Sequence, residues 1–251
     1  MIERLQLLCL FSIFFLMFTS CTAENDSPIR ALYLTGGGWH DYETQETLLT
    51  EGISERLGDT IDWTIVHEGE GEPDHMLSVV QQENWTEGYD VVVHNTGFGR
   101  VNDTDFVAKL AESHRGTPAV LIHATIHSYR YAEPADPWFD FTGVKSMYHE
   151  DQREFEVEMI APEHPIMAGI PEYWQNPPDE VYVIEEDRGN IMPLARAFGV
   201  ETDEYQPVVW THETEENRVF ATTLGHNNAM FEKDYFLDMI ANGILWSIET
   251  Q

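Results

Sequence analysis

The chain has 251 residues and a formal net charge of -32, from 13 Lys and Arg against 45 Asp and Glu. An acidic excess of this size repels phosphate backbones and anionic lipid surfaces. It excludes DNA and RNA as partners and suits a solution whose salt screens the self-repulsion.

Residues 5–18 form an almost unbroken apolar run that leads into Phe18-Thr19-Ser20-Cys21. Small residues before a cysteine, behind an apolar stretch too short to span a bilayer comfortably, look like a bacterial lipoprotein signal, with cleavage before Cys21 and acylation of its thiol. On this reading 1–20 is the signal, 21–29 a flexible tether, and 30–251 a single α/β domain of about one and a half times the usual size. The domain would face the periplasm, touching the membrane through its lipid alone. No acidic residue follows Cys21 directly, which favours the outer membrane. Cys9 lies inside the signal, so the folded part has no disulfide, no Cys-ligated metal and no Cys nucleophile.

Arg30 to Leu34 reads as a first strand running into Thr35-Gly36-Gly37-Gly38-Trp39-His40. Three glycines let the backbone approach a ligand closely, which makes Gly37 and His40 candidate contacts. The turn has neither a G-x-G-x-x-G fingerprint nor a Lys-Ser/Thr pair, so nucleotide binding lacks support. Leu49, Ile53 and Leu57 recur at helical spacing up to Gly58, giving a β-α unit. Asp62 to His67 alternates as a second strand, 76–80 suits a short helix, and Tyr89 to His94 is a β-branched third strand. Asp103 caps a helix with Phe106, Val107 and Leu110 on its inner face.

Pro118 to Ile122 is a short apolar run, the pattern of a parallel strand buried on both faces, and His123 stands at its carboxyl end. Ligands of open α/β sheets bind outside the carboxyl ends of the central strands. Glu133 to Asp140, with two prolines, Trp138 and Phe139, reads as a lid or rim. Glu154 to Met159 and Asp179 to Ile184 are strand-like, Pro207 to Thr211 pairs with Arg218 to Leu224, and Phe236, Met239, Ile240, Ile244 and Ile248 mark a closing helix packed on the sheet. Alternating strands and helices give a parallel, doubly wound sheet.

Several segments together resemble the ThuA-like, trehalose-utilisation family. They are the glycine-rich turn with His40, the strand-end His123, His164-Pro165-Ile166 with Gly169-Ile170, Asp179-Glu180-Val181-Tyr182, Pro207-Val208-Val209-Trp210, Arg218-Val219-Phe220, Thr223-Leu224-Gly225-His226 and Asn242-Gly243-Ile244-Leu245-Trp246. The resemblance implies a flavodoxin-like three-layer sandwich, similar to class I glutamine amidotransferases, with a central, mostly parallel sheet. It also implies a role in sugar metabolism, on 3-keto or other disaccharide derivatives. Amidotransferases of this fold carry a Cys on the turn after the central strand, where this chain has Ile122-His123-Ala124-Thr125. Glutamine hydrolysis through a thioester is therefore excluded, and no G-x-S-x-G turn supports a serine hydrolase.

What remains is acid-base or metal-assisted chemistry, of the hydrolase, lyase or isomerase kind. His123 and His226 suit proton exchange with a sugar hydroxyl or with a carbon beside a ketone, with Glu180 as partner carboxylate. If the chain turns helical after Ile122, His123 and His127 share a face and, with His226 or His40, could hold a zinc-like divalent cation. Glu180 and Tyr182 alternate on one strand face, Tyr148 and His149 follow the aromatic loop, and Trp39, Trp138 or Trp210 could supply a platform for a sugar ring. His67, His75, His114 and His212 read as structural. Two functions stay open: an envelope enzyme acting on a carbohydrate, and a non-catalytic sugar-binding or scaffolding lipoprotein. A homo-oligomer is compatible with either.

Overall fold

Two helix starts are set by side chains. Asp103 accepts a hydrogen bond from the Phe106 amide at 2.9 Å and Asp41 one from Thr44 at 3.1 Å, satisfying amides that no helical carbonyl can reach. The computed structural model describes residues 27–189 and 191–249. The signal, Cys21 and the tether up to residue 26 lie outside the described residues.

In chain order the elements are β1 (Ile29–Gly37), α1 (Tyr42–Leu57), β2 (Ile61–His67), β3 (Val91–Gly97), α2 (Thr104–Glu112), β4 (Ala119–Ile122), α3 (Asp136–Thr142), β5 (Val144–Lys145), β6 (Tyr148–His149), β7 (Arg153–Met159), β8 (Tyr173–Asp179), β9 (Tyr182–Val183), β10 (Glu186–Asp187), β11 (Met192–Gly199), β12 (Glu204–Glu213), β13 (Arg218–Thr222), α4 (Asn228–Phe231) and α5 (Asp234–Ile248). Nine strands form one sheet in the order β2-β1-β3-β4-β13-β12-β11-β7-β8. From β2 to β13 the neighbours are parallel, and from β13 to β8 they are antiparallel.

Period-two alternation divides the core between the two faces of the sheet. Tyr33, Val93, Val120 and Phe220 pack with Leu49 and Ile53 of α1 and with Phe236, Ile240 and Ile244 of α5. Leu32, Leu34, Val92 and Leu121 face the other way, toward Phe106 and Leu110 of α2 and Phe139 and Phe141 of α3. The result is a three-layer α/β sandwich whose central strands, β3 and β4, are buried throughout. The chain leaves β1 for β2 on one side and returns to β3 on the other, so a crevice opens at the carboxyl ends of β1 and β3.

Two local expectations change. The segment read as a lid instead contains α3, whose Trp138, Phe139 and Phe141 are all buried. An apolar surface that large is stabilised by burial in the core, not at a wet rim. The run 179–184 is split between β8 and β9, because Asp179 turns inward to accept backbone amides.

Trp138 is fully buried, edge-on to Tyr129 at 4.9 Å between ring centroids. Trp138→Ala is expected to cost about 3–5 kcal/mol of stability, the range for deleting a core aromatic. Urea unfolding followed by circular dichroism measures it; an unchanged midpoint would contradict this packing.

Candidate active site

The crevice is built by three turns that each deliver one imidazole. At the end of β1, Gly37 has φ of +110°, and a Cβ there would stand 2.6 Å from the Gly97 carbonyl group. Glycine is therefore required for β1 and β3 to end side by side, with the Gly38 amide donating to the Gly97 carbonyl at 3.1 Å. The next turn presents His40. Its Nδ1 lies 3.2 Å from the Gly38 carbonyl, which can only accept, and 3.0 Å from the Tyr42 hydroxyl. A proton on Nδ1 leaves the Nε2 lone pair facing His226 Nδ1 at 3.2 Å.

His123 ends β4 with φ of +48° at the start of a single 3-10 turn, His123–Thr125. Its Nδ1 donates to the Thr223 carbonyl at 2.6 Å. Nε2 is thus the unprotonated nitrogen, 3.5 Å from the Tyr182 hydroxyl and 3.6 Å from Glu180 Oε2. His226 follows Gly225 on the turn after β13. Its Nδ1 is 3.2 Å from Glu180 Oε1, and its Nε2 meets the Gln152 amide group. That turn is held by Asp179, whose buried carboxylate accepts the amides of Gly225 at 2.9 Å, His226 at 3.3 Å and Glu180 at 2.8 Å.

Burial lowers His40 to about 3, helped by the charges of His123 and His226. It also lowers His123 to about 4, against the pull of Glu180. Both are neutral at pH 7. Burial works against the charged form of His226 too, but its hydrogen bond to Glu180 and the charges of Glu180 and Asp179 outweigh that, and its pKa rises. Burial would raise Glu180, yet His226, His123 and His149 bring it down to about 2. Burial does raise Asp179, to about 6, despite the amides of Gly225 and Glu180. The site therefore sets an ionised carboxylate against an imidazole that it biases toward the charged form, beside two neutral ones.

Above this cluster lies a cavity of about 480 Å³, walled by Trp39, His127, Arg130, His149, Gln152 and Tyr182. His127 stacks on Tyr182 with ring centroids 3.7 Å apart, and its Nε2 bonds Ser146 Oγ at 2.8 Å.

A family model described as ThuA, trehalose utilisation, matches residues 32–247. The chain belongs to the ThuA family. It is similar in structure to a ThuA-like protein from Parabacteroides merdae, 20% identical with a TM-score of 0.70 over 88% of this chain and 90% of that one. A ThuA-like protein from Bacteroides uniformis is 17% identical, with a TM-score of 0.67 over 89% and 93%. A GMP synthase subunit from Thermoplasma acidophilum is 15% identical, with a TM-score of 0.52 over 86% and 92%. These likenesses show the fold, which is shared with the glutamine amidotransferases. No curated protein matches the chain.

In this ThuA-family chain His40, Glu180, His149, Tyr182 and His226 line the crevice, and His123 is buried against Glu180 and Tyr182. Four other expectations do not hold. His127 does not join His123 as a ligand pair, because the chain makes one 3-10 turn and no helix, leaving His127 flat against Tyr182. Trp138 and Trp210 are core residues, and Trp39 is the tryptophan that reaches the cavity. Tyr148 is half-exposed away from the cavity wall, and Gly37 serves strand packing. Sequence reasoning overlooks Asp179 as an anchor, and Gln152 and Arg130 as wall residues. None lies in a recognisable motif, and for Asp179 its place beside Glu180 is the sole signal.

One nitrogen from each of His40, His123 and His226 falls within 4.8 Å of the others. Neutral imidazoles whose far nitrogens are fixed by carbonyl oxygens, as Gly38 and Thr223 do here, are what a divalent cation requires. The donor set fits a zinc-like ion once His226 gives up its proton, with Glu180 as a neighbouring oxygen donor. Calorimetric titration of zinc into chelator-stripped protein is expected to show stoichiometric binding. His40→Ala, His123→Ala and His226→Ala should each lose it, and His127→Ala should keep it. Retention by the first three variants would remove the cation reading.

Proposed function

We propose that this ThuA-family chain is an enzyme of carbohydrate metabolism that transforms a keto-sugar or disaccharide derivative by proton transfer in the His123, Glu180 and His226 cluster. The observation that carries the proposal is the geometry of His123. Its Nδ1 is committed to the Thr223 carbonyl, so the neutral Nε2 is the basic atom turned toward Glu180 and Tyr182 at the cavity floor. In this reading His123 Nε2 takes a proton from a sugar hydroxyl or from the carbon beside a ketone. His226, whose charged form Glu180 favours, returns one. The Trp39 ring at the cavity wall offers a face for the sugar.

A second reading is favoured by the convergence of three imidazole nitrogens. A divalent cation held by His40, His123 and His226 would supply a Lewis acid for a carbonyl or hydroxyl oxygen. Glu180 is then the group left to carry the proton. An envelope setting, with lipid on Cys21, belongs to the same proposal and rests on the signal read in the sequence.

Mass spectrometry of signal-free protein mixed with disaccharides and their 3-keto forms at high salt is expected to show new products. His123→Ala and Glu180→Gln should slow turnover by about 10²–10⁴-fold, the usual worth of a positioned acid or base. Chelator sensitivity selects the cation reading, and insensitivity the imidazole one. If His123→Ala and His226→Ala both turn over at the wild-type rate, the cluster is not the catalytic site. Saturable sugar binding without product would instead identify a binding protein.

A further inference from the structure

The arginines of this chain are nearly all committed to carboxylates, as 45 acidic residues against 13 basic ones would lead one to expect. Among the nine described arginines, seven have an ion-pair partner: Arg30 with Asp90, Arg56 with Asp234, Arg115 with Glu216, Arg153 with Glu150, Arg188 with Asp136, Arg196 with Glu158 and Arg218 with Glu213. The two that have none are Arg100 and Arg130. Arg130 lines the cavity. Arg100 lies over the Trp39 ring on the cavity wall, 5.6 Å from its centroid.

Arg130 is also unusual in how it is held. Its Nε and Nη1 are shielded from solvent and have no hydrogen-bond partner, while Tyr131 covers one side of the guanidinium at 5.3 Å. Shielded, charged donors without partners are costly, and a structure that retains them has a use for them. A neutral sugar would draw little from an unpaired guanidinium. An anionic oxygen group would draw much, because a guanidinium matches carboxylate and phosphate geometry. The need is reinforced by the field of the whole molecule, since a net charge of -32 opposes the approach of any anion. An anionic ligand can enter only where positive charge has been left uncommitted.

We infer that Arg130, with Arg100 over the wall residue Trp39, forms an anion subsite of the active-site cavity, and that the substrate is a sugar bearing a carboxylate or a phosphate. The inference rests on the carbohydrate reading of this cavity and narrows its substrate class. Arg130 binds the anionic group while the histidine cluster faces the rest of the sugar.

The test is calorimetric titration of signal-free protein with glucose, glucuronate and glucose 6-phosphate, repeated with Arg130→Gln. In the wild type, at least one of the two acidic sugars is expected to bind about 10–100-fold more tightly than glucose. Which one does so separates carboxylate from phosphate. Arg130→Gln should erase the preference, weakening the acidic sugar far more than glucose. Equal affinity for all three sugars, or a preference that survives Arg130→Gln, overturns the anion subsite while the carbohydrate reading stands. Binding of none of them overturns both. Should Arg130→Gln fail to fold by circular dichroism, the exposed Arg100→Gln takes its place and is expected to reduce the preference, an unchanged preference counting against the subsite.

Discussion

The buried carboxylate of Asp179 is the tie on which the active-site arrangement depends. It ends β8, the outermost antiparallel strand, and accepts amides from its own neighbour Glu180 and from Gly225 and His226 on the turn after the parallel strand β13. A charge taken out of water is stabilised only when it is met by several donors, and two of those donors are the amides of Glu180 and His226, whose side chains the site needs most. Glu180 and His226 consequently face each other at 3.2 Å although 46 positions separate them in the chain (226 − 180). Their pairing in turn raises one imidazole toward its charged form beside two that burial keeps neutral.

The site therefore lies across the seam between two kinds of sheet. The parallel half supplies His40 and His123 from the ends of β1 and β4, positions dictated by the crevice that a reversal of strand order opens. The antiparallel half supplies Glu180 and Gln152. Neither half alone would hold a polar cluster of this kind, since His123 and His226 each need a carbonyl or carboxylate contributed from a distant segment.

Much of this can be read from the residues. Apolar runs that break into Gly, His, Asn or Thr mark the carboxyl ends of the parallel strands, and so His40, His123 and His226 stand out without any coordinates. The hairpin of β12 and β13 and the stripe of α5 are equally plain. What escapes is local structure that departs from pattern. β8 contains Asn176-Pro177-Pro178, which reads as a loop because proline suits only an edge strand, and β11 opens on Met192-Pro193. The four-residue spacing of His123 and His127 suggests a helix, which the chain replaces with one 3-10 turn. Trp138 reads as a rim residue because the prolines near it look like a loop, although its ring has more to gain from the core. Arg130, Gln152 and Asp179 act through contacts between distant segments, for which no spacing rule exists.

The proline pair in β8 has a consequence for assembly. An outer strand normally offers alternate N–H groups to a neighbour, and two consecutive prolines delete one donor from each side of the strand. Pro177 and Pro178 lie at the free margin of the nine-stranded sheet. A second copy cannot extend the ladder through that stretch, and the edge that ends at Asp179 is closed there to the strand-to-strand growth that leads to fibres.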